Sequence, residues 1–367
     1  MIGGGIAGAS AAYELAAHGS VILLEREPHC GYHTTGRSAA LFTEAWEVPV
    51  IRSVAAAGRD FFESPPDGFS DVPLVTPRRL LLIGRADQRQ SVLDAAADAR
   101  VTIPSLEVVD GTEAQRICPV LKTEYVDSAL LEPTGHTIDV DALLQGFLRG
   151  IRRRGGTVIT GAGVTGIHRV RGEWEVAGGS DEWSARTVVN AAGAWADVIA
   201  EMAGVRPVGL KPLRRTAFTF AAPIDVDISR WPAVIDIDEQ FYFEPEGNQL
   251  LGSPADQTPS HPHDVRHEEI DVAMAIERIQ RASTLDIRHV RRAWAGLRTF
   301  APDRMPVVGP DPEVSDFFWL AGQGGFGIMT SPTMARIAAS LAVGTGFPVD
   351  LPGPVGPAIM PGRLRVQ

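Results

Sequence analysis

The first eight residues of the chain constrain its fold more than any other stretch. Gly3, Gly5 and Gly8 match the pattern G-x-G-x-x-G, and an apolar helical run covers residues 6–17. Gly3 allows a tight turn, Gly5 lets the backbone approach a pyrophosphate, and Gly8 lets the helix pack closely on a strand. The N–H groups and the partial positive charge at the helix N-terminus favour phosphate. We therefore predict that this turn binds a dinucleotide.

A second element, downstream of the glycines, supports this prediction. Residues 21–24 form a short apolar strand that ends at Glu25. A carboxylate about 20 residues after the glycines accepts hydrogen bonds from ribose hydroxyls. Only Met1 and Ile2 precede the glycine turn, although a strand usually needs about five residues. We therefore expect that the sequence begins inside the first strand and that the phosphate-binding turn is intact.

The composition limits the domain organisation and the partners. A chain of 367 residues favours two domains. The formal net charge of −11 argues against nucleic-acid binding, which needs a basic surface. No run of 18 apolar residues occurs, so we predict no transmembrane segment. Two cysteines, Cys30 and Cys118, cannot build a disulfide framework, which favours a cytoplasmic location. Neither has metal-like spacing, and we predict no metal site.

The rest of the chain alternates helices with strands. A helix over residues 140–154 stops at Gly155 and a strand over residues 157–160 follows, as in α/β folds. Residues 187–195 are a second strand-to-glycine turn, and residues 319–331 are a strand that enters a glycine-rich helix start. The N-terminus of that helix can direct positive potential at an anionic ring, such as a reduced flavin. An NAD enzyme has no need of this feature.

Together these pieces resemble the D-amino-acid oxidase superfamily of FAD enzymes. The stretches that carry the resemblance are residues 3–25, 35–40, 189–195 and 324–327. Within the superfamily the chain is most similar to bacterial D-arginine dehydrogenases, through the runs at residues 139–143, 203–207, 251–255 and 294–298.

The resemblance implies a mixed α/β fold, in which a Rossmann-type FAD-binding domain is interleaved with a β-rich substrate-binding domain. We assign residues 1–77, 138–204 and 295–367 to the FAD-binding domain. Residues 78–137 and 205–294 are assigned to the substrate-binding domain.

The resemblance also implies an activity. Enzymes of this superfamily transfer a hydride from the α-carbon of a D-amino acid to N5 of the flavin, and the imino acid hydrolyses to a 2-oxo acid and ammonia. The expected cofactor is non-covalent FAD, with a covalent link at His33 as the less favoured alternative. The expected electron acceptor is a quinone or another carrier rather than oxygen. The residues assigned to the cofactor are Gly3, Gly5, Ile6, Ala7, Gly8, Glu25, Arg26, Thr35, Gly36, Arg37, Ser38, Ala40, Val164, Ala192, Gly193, Trp195, Gly324, Phe326, Gly327, Ile328, Met329 and Thr330.

For the reacting end of the substrate, the resemblance assigns four groups. Arg215 and Arg298 hold the α-carboxylate, Tyr242 adds a hydroxyl donor, and the carbonyl of Gly325 accepts from the amino group. Arginine suits this role because its planar fork pairs with a carboxylate through two parallel hydrogen bonds. Arg214 stands next to Arg215 and is an alternative for the clamp.

The sequence departs from the D-arginine dehydrogenases where the substrate side chain would lie. Those enzymes have a glutamate at the position aligned with Leu80, and a histidine and a tyrosine at those aligned with Leu41 and Trp46. Thr43 is shared. A buried guanidinium without a partner carries a desolvation penalty of roughly several kcal/mol. With Phe42, the apolar residues at these positions therefore predict a pocket for bulky apolar or aromatic side chains.

Other substrates and functions fit the same sequence. Glu44 or Glu239 would restore a site for a cationic side chain such as arginine or lysine. An enzyme acting on glycine, or on secondary amines such as sarcosine, would use the same clamp. An NAD-binding or flavin-binding protein without turnover is the alternative from a different class, since the first strand is short.

Overall fold

A computed structural model describes residues 1–45 and 48–365 of the chain. Its α-helices are α1 (Ile6–Leu15), α2 (Pro49–Ala56), α3 (Arg59–Glu63), α4 (Arg89–Ala99), α5 (Gly111–Ile117), α6 (Val140–Arg153), α7 (Ala196–Met202), α8 (Glu269–Ala282), α9 (Gly327–Ala342) and α10 (Val355–Ile359). Short 3-10 helices cover Thr35–Arg37, Ala86–Gln88, Gly193–Trp195 and Pro361–Leu364.

Within the described residues, the strands fall into five hydrogen-bonded groups. In chain order they are β1 (Ile22–Leu24), β2 (Leu41–Phe42), β3 (Val75–Pro77), β4 (Leu80–Gly84), β5 (Glu107–Asp110), β6 (Ser128–Glu132), β7 (His136–Ile138), β8 (Thr157–Ile159), β9 (Val164–Val170), β10 (Glu173–Gly178), β11 (Asp181–Ala185), β12 (Val188–Asn190), β13 (Lys211–Ala221), β14 (Ala233–Asp236), β15 (Tyr242–Glu246), β16 (Gln249–Ser253), β17 (Thr258–Pro259), β18 (Val290–Phe300), β19 (Val307–Pro310) and β20 (Phe317–Ala321).

The glycine turn lies at the centre of a mostly parallel sheet. β1 pairs in parallel with β8, β12 pairs in parallel with β20, and β19 closes the far edge in antiparallel. Ile2 joins the two halves, because it bridges Leu24 on one side and Asn190 on the other. Helix α1 is apolar and packs between this sheet and helices α6 and α9. The two residues before the turn therefore occupy the position of a central strand.

The substrate-side sheet has nine strands. Eight follow the order β17, β13, β16, β15, β14, β4, β6, β5, and β18 pairs with β13 along the opposite edge. One face packs on α5 and α8, and the other on α4 and on the candidate site. β18 lies wholly in this sheet and crosses the domain boundary that we placed at residue 295. β2, β7 and β3 form a three-stranded sheet, and β9, β10 and β11 form another.

The predicted fold class is confirmed as mixed α/β. The helix predicted over residues 6–17 is shorter and ends at Leu15, and the one predicted over residues 140–154 is found as α6. Between these two helices in the sequence, α2 and α3 are separated only by Ala57 and Gly58.

Two absences concern only residues 1–45 and 48–365. No helix there combines the length and the apolar character needed to cross a membrane. In the same ranges, no three histidine, cysteine or acidic side chains are arranged as a metal site.

Candidate active site

A cavity of about 580 Å³ opens beside the glycine turn. Its walls come from both ends of the chain and from the substrate-side sheet. They include residues 2, 3, 5–7, 24–26, 31–35, 162–165, 191–195, 297–299 and 320–325. An elongated ligand with a phosphate group fits this arrangement, because the cavity runs along the start of α1.

The backbone at the glycine turn leaves no space for side chains. Gly3 has φ of +107°, and a Cβ there would lie 2.4 Å from the carbonyl oxygen of Ala191. A Cβ at Gly8 would lie 1.9 Å from the carbonyl oxygen of Gly3. The N–H of Ile6 donates to Thr35 Oγ1 at 3.0 Å, whereas those of Ala7 and Gly8 have no partner within the described ranges. These two free donors at a helix N-terminus suit a phosphate oxygen.

Glu25 is held rigidly at the cavity wall. The side chain is 7% exposed, with Oε2 accepting from the N–H of Gly4 at 2.7 Å and Oε1 from that of Glu27 at 2.9 Å. A carboxylate oxygen can accept more than one hydrogen bond, so acceptor capacity remains for a ribose hydroxyl.

Aromatic and charged side chains close the same end of the cavity. The ring of His33 lies 4.8 Å from that of Trp195, and the Arg26 guanidinium lies 5.0 Å from the Trp195 ring. His33 Nε2 is 2.9 Å from Glu27 Oε1. His33 thus lines the cavity while its ring is engaged by a carboxylate. Flat side chains of this kind suit a base or another planar group.

Most of the residues assigned to the cofactor line this cavity. They are Gly3, Gly5, Ile6, Ala7, Glu25, Arg26, Thr35, Ser38, Val164, Ala192, Gly193, Trp195, Gly324, Gly327 and Ile328. Other residues of the cavity wall are mostly small or apolar and belong to no motif, so the sequence alone did not identify them. Ala162, Gly163, Thr165, Val198, Ile199 and Met202 belong to this group.

Seven assigned residues lie outside the cavity wall. They are Gly8, Gly36, Arg37, Ala40, Phe326, Met329 and Thr330. Phe326 and Met329 are buried in the core, and Thr330 donates its hydroxyl to the carbonyl of Phe326. The Arg37 side chain turns to Asp264 at 2.5 Å and to the carbonyl of Val265. Its role here is to hold the loop against the substrate-side sheet.

The pairing of β13 with β18 brings two arginines to one face. Arg215 lies opposite Gly296 and Leu213 lies opposite Arg298, so the two arginines are diagonal neighbours. Arg298 lines the cavity and packs on Gly325, where a Cβ would lie 2.8 Å from its Nη1. The structure therefore brings Arg215 next to Arg298, and of these residues Arg298 and Gly325 line the cavity.

Arg215 has free hydrogen-bonding capacity in a buried position. It is 6% exposed, and its Nε donates to the carbonyl of Asp256 at 2.9 Å. Nη1 and Nη2 are buried without a hydrogen-bond partner in the described part of the chain, and the nearest acid, Glu239, is 3.6 Å from Nη2. Burial, reinforced by Arg298, lowers the pKa of Arg215 to about 10, and Tyr242 is close enough to oppose this shift. Two unpaired nitrogens in one plane fit an incoming carboxylate.

Arg214 faces the other side of the sheet. Side chains alternate along a strand, so two consecutive residues point in opposite directions. Arg214 pairs with Glu268 and, at 2.7 Å, with Asp271. Of the two candidates for the clamp, only Arg215 is directed towards Arg298.

Only some of the residues assigned to the apolar pocket come together, and none of those that the structure describes lines the cavity. Leu41, Leu80 and Tyr242 pack in one hydrophobic cluster. Trp294, which we did not predict, joins the same cluster from β18. Phe42 does not take part, because it follows Leu41 on β2 and points to the other side. It packs against Phe62, 5.3 Å away, and Arg59. Trp46 lies outside the described residues.

A buried acid accompanies Thr43 beside this pocket. Glu132 lies opposite Leu80 in the β4–β6 ladder and is fully buried. It accepts from Thr43 Oγ1 at 2.5 Å and from the N–H of Glu44 at 3.1 Å, and burial raises its pKa. The Glu44 carboxylate pairs with Arg59 at 2.9 Å. Glu44 is therefore engaged away from the substrate, unlike Glu239, which lies beside the clamp.

A second buried acid, Glu244, allows a prediction on stability. It is 3% exposed, and its Oε2 has no hydrogen-bond partner within the described ranges. Burial raises its pKa to about 8, and Glu246 adds to the shift. Between about pH 4.5 and about pH 8, Glu244 therefore keeps its proton in the folded state but has lost it in the unfolded state. The free energy of unfolding falls as the pH rises through this range.

Replacing Glu244 by glutamine removes this pH dependence. We expect Glu244→Gln to raise the free energy of unfolding by about 2–4 kcal/mol more at pH 9 than at pH 5. Urea unfolding of the two proteins at both pH values measures this difference. Glu107→Gln, an exposed position in the same sheet, is the matched control and should change neither value. An effect of Glu244→Gln that is equal at the two pH values would exclude the buried titration.

Comparisons with known proteins agree with this geometry. The family model described as DAO, FAD dependent oxidoreductase, matches residues 1–341. An oxidoreductase of Bacillus subtilis, YurR, is 23% identical over 98% of both chains. Mouse mitochondrial sarcosine dehydrogenase is 27% identical over 90% of this chain, which spans 38% of that longer protein.

Solved structures share the whole fold. L-proline dehydrogenase from P. horikoshii superposes with a TM-score of 0.86 at 21% identity, covering 99% of this chain and 96% of that one. Glycine oxidase from Geobacillus kaustophilus superposes with a TM-score of 0.84 at 19% identity, covering 96% of each chain. At these identities the likeness concerns the fold.

Proposed function

The chain belongs to the family of FAD-dependent oxidoreductases, and on that premise we propose that it oxidatively deaminates free D-amino acids to 2-oxo acids and ammonia. The proposed enzyme is a dehydrogenase that passes electrons to a quinone or another carrier. One observation carries the proposal above all. The two terminal nitrogens of Arg215 are buried without a hydrogen-bond partner among the described residues, and Arg215 is the neighbour of Arg298, which lines the cavity.

The residues of the chain fit the cofactor and orient the substrate. FAD would be held without a covalent bond by the glycine turn, Glu25 and residues 191–195, and when bound it would serve as the oxidant of the substrate α-carbon. Arg215 and Arg298 would bind the α-carboxylate, and Tyr242 would donate its hydroxyl to it. The Gly325 carbonyl would accept from the substrate amine. Orientation by several fixed groups lowers the entropic part of the barrier.

The side-chain preference follows from the cluster beside the clamp. Leu41, Leu80 and Trp294 pack there in one apolar cluster with Tyr242. Glu44, one of the two acids that would suit a cationic substrate, is paired with Arg59. We propose a preference for bulky apolar or aromatic D-amino acids. Arginine, the substrate of the D-arginine dehydrogenases that the sequence resembles, would lack the acid that those enzymes have at the position of Leu80.

Secondary amines are the second candidate substrates. The sarcosine dehydrogenase and L-proline dehydrogenase named above act, by name, on amino acids with a secondary amine, whereas glycine oxidase acts on a primary amine. All three substrates carry a carboxylate, so the same clamp would serve them. A flavin-binding protein without turnover is the remaining alternative.

Anaerobic reduction of the bound flavin separates these possibilities. The panel comprises D-leucine, D-phenylalanine, D-arginine, glycine and sarcosine, each mixed with the holoenzyme without oxygen. We expect D-leucine and D-phenylalanine to reduce the flavin fastest at equal, low concentration. A clear advantage for D-arginine would refute the apolar pocket, and one for sarcosine would establish the secondary-amine reading. If no member of the panel reduces the flavin, the chain is a flavin-binding protein without turnover of these substrates. Reoxidation with and without oxygen then identifies the class of acceptor.

The pKa of Arg215 predicts how the clamp responds to alkali. A carboxylate binds the protonated guanidinium, so affinity should be constant below about pH 10 and fall about tenfold per pH unit above it. Benzoate is a suitable probe, because it has a carboxylate and an apolar ring but no amine that titrates nearby. Its Kd can be followed by the change in flavin absorbance from about pH 8 to about pH 11. The loss of benzoate affinity above about pH 10 should be absent in Arg215→Met. If the loss persists in that variant, another group titrates.

A further inference from the structure

The strand edge beside Arg215 is interrupted by a bulge. β13 pairs with β16 from Phe218 to Ala221 and with β17 at Leu213 and Arg214. Residues 254–257 connect β16 to β17 across the gap between these two ladders. Within this connection Ala255 has φ of +54°, in the left-handed region, although it carries a Cβ. Such a conformation costs free energy, so the surrounding contacts must hold it in place.

Asp256 makes the contacts that hold this bulge. Its Oδ1 accepts from the N–H of Thr216 at 2.6 Å, and its Oδ2 accepts from Thr216 Oγ1 at 3.1 Å. Ser253 Oγ donates to the carbonyl of Thr216 at 2.6 Å and accepts from the N–H of Ala255 at 3.1 Å. The Asp256 side chain is 7% exposed. The bulge is thus attached to β13 at the residue that follows Arg215.

The same residue fixes the orientation of Arg215. The main-chain carbonyl of Asp256 accepts from Arg215 Nε at 2.9 Å, which is the only hydrogen bond of that guanidinium within the described part of the chain. A guanidinium is planar, so a bond at Nε determines where Nη1 and Nη2 point. The Asp256 carboxylate also lies 3.6 Å from Arg214 Nε. Its negative charge acts on Arg215 in the opposite direction to the positive charge of Arg298.

We propose that Asp256 is the positioning residue of the carboxylate clamp. Its side chain anchors the bulge to Thr216, its carbonyl directs the free nitrogens of Arg215 towards the substrate carboxylate, and its charge offsets the repulsion between Arg215 and Arg298. This inference rests on the proposed function of the same site. Bulges beside active sites commonly redirect a side chain in this way.

The test measures benzoate binding to the holoenzyme through the change in flavin absorbance, which requires no turnover. We expect Asp256→Ala to raise the Kd about tenfold, since it removes two hydrogen bonds and a charge. Asp256→Asn keeps an acceptor for the Thr216 N–H and should lie between wild type and Asp256→Ala. Glu268→Gln makes the same acid-to-amide change beside Arg214 and should leave the Kd within about twofold.

A second background shows whether Asp256 acts through Arg215. In Arg215→Met, both Asp256 variants should change the Kd by less than about twofold, because the group that they position is gone. The proposal fails if either variant weakens binding equally with and without Arg215, or if neither weakens it in wild type. If wild type itself binds no benzoate and no amino acid reduces its flavin, the proposed function fails, and the role of Asp256 fails with it.

Discussion

Replacing either arginine of the clamp by methionine is expected to lower kcat/KM for the preferred D-amino acid by at least about 100-fold. Removing one partner of a buried, hydrogen-bonded charge pair typically costs about 3 kcal/mol or more, and each 1.4 kcal/mol corresponds to a factor of ten. Arg215 and Arg298 lie on one face of the β13–β18 ladder, and Arg298 also lines the cavity. Steady-state kinetics of Arg215→Met and Arg298→Met with D-leucine measure this loss.

The control for the clamp is the neighbouring arginine on the opposite face. Arg214→Lys keeps a positive charge for Glu268 and Asp271 and does not reach the cavity. It should retain kcat/KM within about threefold. The flavin content of each variant must match that of wild type, so that a lost cofactor is not mistaken for a lost clamp. Full activity of both clamp variants would show that the substrate carboxylate binds elsewhere.

The second large effect is expected at Gly8. A Cβ there would lie 1.9 Å from the carbonyl oxygen of Gly3, so Gly8→Ala must push α1 away from the glycine turn. The free N–H groups at the start of α1 would then leave the phosphate position. We expect Gly8→Ala to bind FAD at least about 100-fold more weakly, or to be isolated without flavin, because the substitution would remove roughly 3 kcal/mol of packing and hydrogen bonding.

A glycine beyond the end of the same helix provides the matched control. Gly19 follows α1 and is exposed, and a Cβ there would meet no atom within 4 Å. Gly19→Ala should bind FAD like wild type. The ratio of flavin to protein absorbance, followed by titration of the apoprotein with FAD, quantifies both variants. Normal FAD binding by Gly8→Ala would mean that the close approach of α1 to the turn is not required.

Local sequence patterns were sufficient for the elements that build the cofactor cavity. The glycine turn, Glu25 and the glycine-rich start of α9 each carry a spacing with a direct physical meaning, and all three line the cavity. Boundaries were less accurate, since Leu15 rather than Ala17 ends α1. Helix ends depend on tertiary contacts that a local pattern does not contain.

The substrate side was harder to predict, because it depends on which face of a strand meets the cavity. Strand alternation separates Arg214 from Arg215, and Leu41 from Phe42, but it does not say which member of each pair points inward. That choice follows from the long-range pairing of β13 with β18 and of β2 with β7. Asp256 and Glu132 belong to no motif, and their positions became visible only in the folded chain. The same holds for the packing of Trp294 against Leu41 and Leu80, although Trp294 lies in one of the runs that carry the resemblance.

The most direct test compares the two enantiomers of leucine as anaerobic reductants of the bound flavin. The proposed selectivity for D-amino acids predicts that D-leucine bleaches the absorbance of the oxidised flavin completely, whereas L-leucine at the same concentration leaves it unchanged. Bleaching by L-leucine alone, or by neither enantiomer nor any other member of the amino-acid panel, would contradict it.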